Sequence, residues 1–241
     1  KEFNYDNSGK LLETQQQKSN RDETEYSTNM NIGFDLEESV IQFNALYEDS
    51  GKSPTERERE IVDFTSGKTF QELEQQNRTQ KNWEIGGDYE YEANRSAKYR
   101  VLFIVNDRNF TYDSTRYDIE NDQQEPNLFL DRMGRDRERI VRTSYTQRFI
   151  ESQGIEVGVE GAQTIRDSTL KMGLDVPGIT NKKFGNLVPV AVDNSTSTVE
   201  EIRYEPFTVH NWQINDRMSL ESRVLYETST IEQSGDIRNK R

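Results

Sequence analysis

The sequence contains no cysteine, so it has no disulfide framework and no thiolate metal site. That lack suits a protein that must cross an oxidising periplasm unfolded. Histidine is nearly absent. His210 is the only one, so any Ser-His-Asp arrangement would have to use it, and no Gly-x-Ser-x-Gly turn accompanies it. One histidine cannot make a typical transition-metal site either. Proline occurs only five times, against 11 Phe, 11 Tyr and 2 Trp, whereas a disordered chain would be rich in proline and poor in aromatics.

Long apolar runs are also missing. The longest, 101–105 and 188–192, are five residues each, far short of the roughly 20 that a spanning helix needs. Any contact with a membrane would have to be made by strands. Residues 1–20 are polar throughout, with no signal-peptide pattern, which reads as a mature protein, a domain or an excised segment. Basic residues are outnumbered, 31 against 44 acidic, and the net charge of −13 is spread along the chain, so nucleic acid is not an expected partner. Only 31% of the 241 residues are hydrophobic, too few for an easily built dry core.

What the sequence does have is alternation with period two. Trp83, Ile85, Gly87, Tyr89 and Tyr91 interleave with Glu84, Gly86, Asp88 and Glu90, and Ile155, Val157, Val159 and Gly161 with Glu156, Gly158 and Glu160. Met30, Ile32, Phe34 and Leu36 repeat the pattern against Asn31, Gly33 and Asp35, as do Met218, Leu220, Val224 and Tyr226 against Glu221 and Arg223. Such stretches are strands with one apolar and one wet face, since a helix would space its apolar residues three and four apart.

Short polar turns at 37–39, 94–96, 152–154 and 215–217 recur roughly every sixty residues. They divide the chain into four antiparallel hairpins, about 22–62, 80–118, 137–170 and 199–232, giving about eight strands in a single all-β domain over 1–241. The stretches between hairpins, 48–80, 107–139 and 167–201, read as long polar loops, with a short helix at 69–76. Apolar positions lie near the short turns, and aromatics cluster at strand ends: Tyr47, Trp83, Tyr89, Tyr91, Tyr99, Tyr145, Trp212 and Tyr226. Short turns on one side, long loops on the other, a narrow apolar band and aromatic girdles are the pattern of an up-and-down transmembrane β-barrel. Two places blur it: 101–105 is apolar on both faces, and the phase is muddled around Pro206, as at a bulge or edge.

The segments WEIGGDYEY (83–91), YRVLFIVND (99–107), IEVGVEGA (155–162) and RYEPFTVHNWQINDRMSLESRVLYE (203–227) resemble the barrel of a TonB-dependent outer-membrane receptor. The resemblance implies a bacterial outer-membrane location and a part in importing siderophores or other nutrients. It also implies outer-membrane lipid, the remaining barrel strands, a plug and TonB itself as partners through the parent protein. The sequence shows no plug or TonB box, and 236–241 is not a terminal aromatic strand, so the resemblance implies an internal piece of barrel wall. Such a piece could not close without its missing strands.

No residues stand out as catalytic, cofactor-binding or metal-binding, and the chain reads as no enzyme. Carboxylates such as Glu37/Glu38, Glu200/Glu201 and Glu84/Asp88/Glu90 are too abundant to mark an acid–base pair, and on alternate strand positions they would line a wet lumen. Asp113, Asp118, Glu120, Asp122, Asp131 and Asp136 could offer oxygen ligands to Ca²⁺, but without the EF-hand pattern they read as a solvated acidic loop. His210 reads as a girdle or lumen residue. The alternatives are a soluble secreted β-sandwich or carbohydrate-binding module, with two packed sheets, and a self-contained eight-stranded barrel.

Overall fold

A computed structural model describes residues 1–193 and 195–235. It is one antiparallel sheet of twelve strands. They are β1 (Glu2–Tyr5), β2 (Leu11–Arg21), β3 (Glu25–Leu36), β4 (Ser39–Asp63), β5 (Lys68–Asn94), β6 (Ala97–Glu120), β7 (Gln123–Ile150), β8 (Gln153–Leu174), β9 (Val188–Val190), β10 (Thr196–Asn215), β11 (Met218–Leu225) and β12 (Thr228–Gly235).

The count exceeds the expected eight by four: two lanes are each broken in two, and the short strands β1 and β9 add to β2 and β8. β2 and β3 run end to end along β4, and β11 and β12 run end to end along β10. Each break faces a proline. The Asp22 N–H donates to the Pro54 carbonyl at 3.1 Å, and the Tyr226 N–H donates to the Pro206 carbonyl at 3.0 Å. An antiparallel hydrogen-bonded pair exchanges two bonds, and proline has no N–H to return the second. Pro206 itself sits in unbroken register with Val159, so the muddled phase there is no bulge but a ladder interruption on the other side.

The four hairpin turns fall where the alternation ends, at Glu37-Glu38, Arg95-Ser96, Glu151-Ser152 and Asp216-Arg217. The expected long loops are a different matter. Most of 48–80 is strand, turning only at 64–67, and nearly all of 107–139 is strand, turning at Asn121 and Asp122. Both turn residues have positive φ, 51° and 64°, conformations that Asn and Asp tolerate. The expected helix at 69–76 lies inside β5, paired with β4 throughout and with β6 from Gln71 onward. Cross-strand pairing overrides the helix propensity of its Gln, Glu and Leu residues.

Only the third stretch keeps a long connection, 175–195. It carries a 3-10 turn at Lys182–Phe184 and β9, and Leu187 is buried there. The 236–241 tail and Asn194 lie outside the described residues.

β5 and β7 have 27 and 28 residues, so each extends for roughly 90 Å. Beyond the apolar zone their ladders are held by polar cross-strand pairs, including Thr79 with Thr111 (2.6 Å) and the Arg59–Glu72 ion pair (3.1 Å). No second sheet packs on this one among the described residues, unlike the sandwich alternative. The sheet is not closed, and β3 and β11 do not pair with each other. An accessible surface of 17044 Å² exceeds the roughly 11,000 Å² expected of a compact 28.2 kDa monomer. The fold has almost no interior.

Candidate functional site: an apolar belt backed by a charged face

Residues directly opposed across an antiparallel ladder share a face of the sheet. One such row runs Ile32, Phe43, Gly87, Phe103, Val141, Gly161, Tyr204. Stepping by two from it collects Phe34, Ile41, Ile85, Tyr89, Val101, Val105, Val157, Val159 and Leu220 on the same face. The next row, on the other face, collects Asp35, Asp88, Glu156, Glu160 and Glu221. The two faces expected from sequence are therefore the two faces of one sheet.

The apolar face is a continuous belt beside the short turns. It is exposed: Ile85 has 47% of its surface accessible, Phe43 45% and Val157 45%, and monomeric proteins in water rarely expose so extended an apolar patch. Close packing within the belt is confined to places such as Gly87, where a Cβ would lie 2.9 Å from Phe103 and 3.0 Å from Phe43.

Aromatics mark both margins. Tyr91, Tyr99 and Tyr145 are directly opposed in one row near the turns, and Tyr47 and Trp83 are opposed at the far margin. Trp83 and Tyr91 are eight residues apart, roughly 26 Å of strand before tilt, the order of an apolar band about 25 Å tall. Hydroxyls point away from the belt centre at both margins: Tyr91 donates to Glu38 (3.4 Å) and Tyr145 to Gln147 (2.7 Å) on the turn side, Tyr47 to Asp49 (3.2 Å) on the other. Tyr99 is the exception, accepting from the Thr143 hydroxyl at 2.8 Å. Trp212, too, is on this face, opposite Leu220, and Tyr226 directly follows β11.

Behind the belt, the other face pairs its charges across strands. Arg100 meets Asp88 (3.1 Å), Lys98 meets Glu90 (2.6 Å), Arg203 meets Glu160 (3.1 Å) and Arg223 meets Glu205 (3.2 Å). Phe207 is the deepest large residue there, lying on Gly158 with the Arg142 guanidinium 4.2 Å from its ring centre. The run 101–105 is apolar on both faces because its inward members, Leu102 and Ile104, form a small apolar island with Ile140.

No family model matches the chain, and no curated protein and no solved structure matches it.

Its chemistry is therefore read from its own geometry. His210 stands on the belt face, opposed to Ile155 and Ser222, at a margin position. The acidic residues of 107–139 are dispersed into ladders. Asp131 pairs with Lys171 (2.7 Å), Asp118 accepts from Asn127 (2.6 Å) and Asp113 from Asn77 (3.1 Å). Asp136 is shared by Arg108 and Arg166. Among the described residues no group of three His, Cys, Asp or Glu side chains is placed to hold a metal ion. Sequence reading missed the grouping of Arg78, Phe110 and Arg132, placing Arg78 and Arg132 in loops and Phe110 where the 80–118 hairpin overlaps the 107–139 loop. Their signal was the bare alternation of strand residues with no hydropathy contrast.

Proposed function

We propose that this chain forms part of the wall of a bacterial outer-membrane β-barrel of the transport class, with its apolar belt against lipid and its charged face toward a wet lumen. The single observation that carries the reading is the separation of faces. Near the turns, belt positions along eight adjacent lanes are mostly apolar or aromatic, with Thr143, His210 and Ser222 among the exceptions, and the face behind them carries cross-strand ion pairs such as Arg100–Asp88 and Arg203–Glu160. The resemblance to TonB-dependent receptors supports import of a nutrient by the parent barrel. The open sheet supports a need for further strands, because an unpaired edge in hydrocarbon leaves backbone groups unsatisfied.

The two native tryptophans supply the test. Trp83 and Trp212 both stand on the belt face, Trp212 near a short turn and Trp83 at the far margin. With the full-length protein in vesicles of brominated phosphatidylcholine, both tryptophans are expected to be quenched, and more strongly by bromines near the headgroups than by bromines at the bilayer centre. A monodisperse protein in detergent-free buffer, with no lipid quenching, would overturn the reading.

A further inference from the structure

On the charged face, beyond the belt and away from the short turns, three cross-strand rows bound a concave depression of about 710 Å³ on β5 to β8. One row runs Arg78, Tyr112, Arg132, Leu170. The next runs Gln80, Phe110, Gly134, Ser168, and the third Asn82, Arg108, Asp136, Arg166.

Gly134 creates the hollow. A Cβ there would collide with the Phe110 ring, so the glycine lets Phe110 lie flat across the ladder instead of standing up into the space. Arg132 then sits over that ring, its guanidinium 5.4 Å from the ring centre. The floor is thus aromatic, and Leu170 and Tyr112 extend it.

The charge around this floor runs against the rest of the chain. The protein carries −13 overall, and elsewhere on this face arginines such as Arg100, Arg203 and Arg223 each meet a carboxylate, whereas Arg116 donates to the Asn127 side chain. Here Asp136 alone serves both Arg108 and Arg166, while Arg78 and Arg132 have no carboxylate partner among the described residues. Arg78 donates only to the Gln80 side chain, at 2.9 Å. Other carboxylates on this face are engaged elsewhere: Glu74 by Ser114 (2.8 Å), Arg57 (3.6 Å) and, at 3.5 Å, the Tyr112 hydroxyl, and Glu48 by Asn82 (3.1 Å). Of these four guanidinium groups, two share Asp136 and two, Arg78 and Arg132, keep their planar forks without a carboxylate. Such forks match the paired oxygens of a carboxylate or phosphate.

We propose that this depression binds an organic anion with a flat apolar body, its oxyanion group held between Arg78 and Arg132 and its body against Phe110 and Leu170. The proposal deepens the transport reading and rests on it for the ligand's route, which is from the side away from the short turns. The binding chemistry itself does not require a membrane.

The test is calorimetric titration of the full-length protein with 2-naphthoate, 2-naphthyl phosphate and the neutral 2-naphthylmethanol. Both anions are expected to bind, and the alcohol at least about tenfold more weakly. Arg78→Gln/Arg132→Gln should weaken naphthoate by about tenfold or more, and Gly134→Ala should weaken all three by forcing Phe110 up into the hollow. Lys81→Gln removes a nearby charge on the opposite face and should leave affinity within about twofold. An unchanged unfolding midpoint shows that each variant is folded, and Arg78→Lys/Arg132→Lys, with charge kept and forks lost, should fall between wild type and the double glutamine variant.

Equal affinity for the alcohol and the anions, or binding that survives loss of both arginines, would overturn the proposal. Partitioning into detergent or lipid would give that second result. Anion binding by a protein that fails the tryptophan-quenching test would overturn the membrane reading and leave this site standing. Failure to bind by a protein that passes it would do the opposite.

Discussion

Phe207 lies flat on Gly158, its direct cross-strand partner, so closely that a Cβ built at the glycine would come within 2.5 Å of the ring and 2.5 Å of the Thr143 carbonyl oxygen. Phe207 is 4% exposed on a face rich in ion pairs, and its ring is covered by Arg223 from the neighbouring β11 at 5.7 Å and by Arg142, reaching across β8 from β7, at 4.2 Å. Packing an aromatic over a strand glycine fills a gap that the missing side chain leaves. Gly158→Ala is therefore expected to destabilise by about 1–3 kcal/mol, because the backbone contact with Thr143 cannot rotate away. The unfolding midpoint in urea, taken from the folded state in detergent, measures it, and a midpoint within error of wild type would remove Phe207 as a keystone of this face.

Pro206 makes a prediction of the opposite kind. Pro206→Ala restores the donor that the Tyr226 carbonyl lacks, worth about 0.5–1.5 kcal/mol, but loses about 0.4–1 kcal/mol of unfolded-state restriction. Global stability should hardly move. Amide exchange at Glu227 and Thr228 should slow as β11 and β12 join into one strand, and unchanged exchange there would mean the break has another origin.

The two faces of β5 predict different costs for the same charge. Ile85→Arg puts a guanidinium in the middle of the belt, where lipid-facing arginine costs roughly 2–4 kcal/mol of folding free energy. Glu84→Arg, one residue away on the other face, should cost less than about 1 kcal/mol, since it meets Asn106 and the row of Glu138. Refolding titrations of both variants into lipid vesicles compare the two, and equal costs would sink the assignment of faces.

Glu74 gives the sheet a pH dependence beyond the belt. Burial pushes its carboxyl up, but hydrogen bonds from Gln76 and Ser114 and the charges of Arg57 and Arg59 outweigh it and hold the group below its ordinary 4.5. A folded value below the unfolded one means stability that is fully present above 4.5 and lost as pH falls through the depressed value. Glu74→Gln should therefore lower the unfolding midpoint at neutral pH, with the gap to wild type closing in acid. A gap that stays constant from neutral to acid pH would show that the carboxylate charge does not matter.

Much of the belt was legible in the sequence. Strict alternation at 83–91 and 155–161, and a polar pair of turn residues after each apolar stretch, are local patterns that fix which side chains share a face and where the chain reverses. The polar reaches of β4 to β8 were not legible, because a strand with water on both faces has no hydropathy contrast to betray its period. There 69–76, with its Gln, Glu and Leu, reads by propensity as helix and only its pairing with both β4 and β6 makes it strand.

The sequence by itself determined two things: an apolar and a charged face near the short turns, and hairpins as the unit of construction. Both depend on residues within a few positions of one another. Only the tertiary structure decided that the strands continue far past the belt, that the outer lanes break opposite Pro54 and Pro206, and that Arg78, Arg108 and Arg132 gather round Phe110. Those outcomes depend on register between strands that lie up to about 30 residues or more apart in the chain, and hydrogen bonds between lanes, not local propensity, set that register.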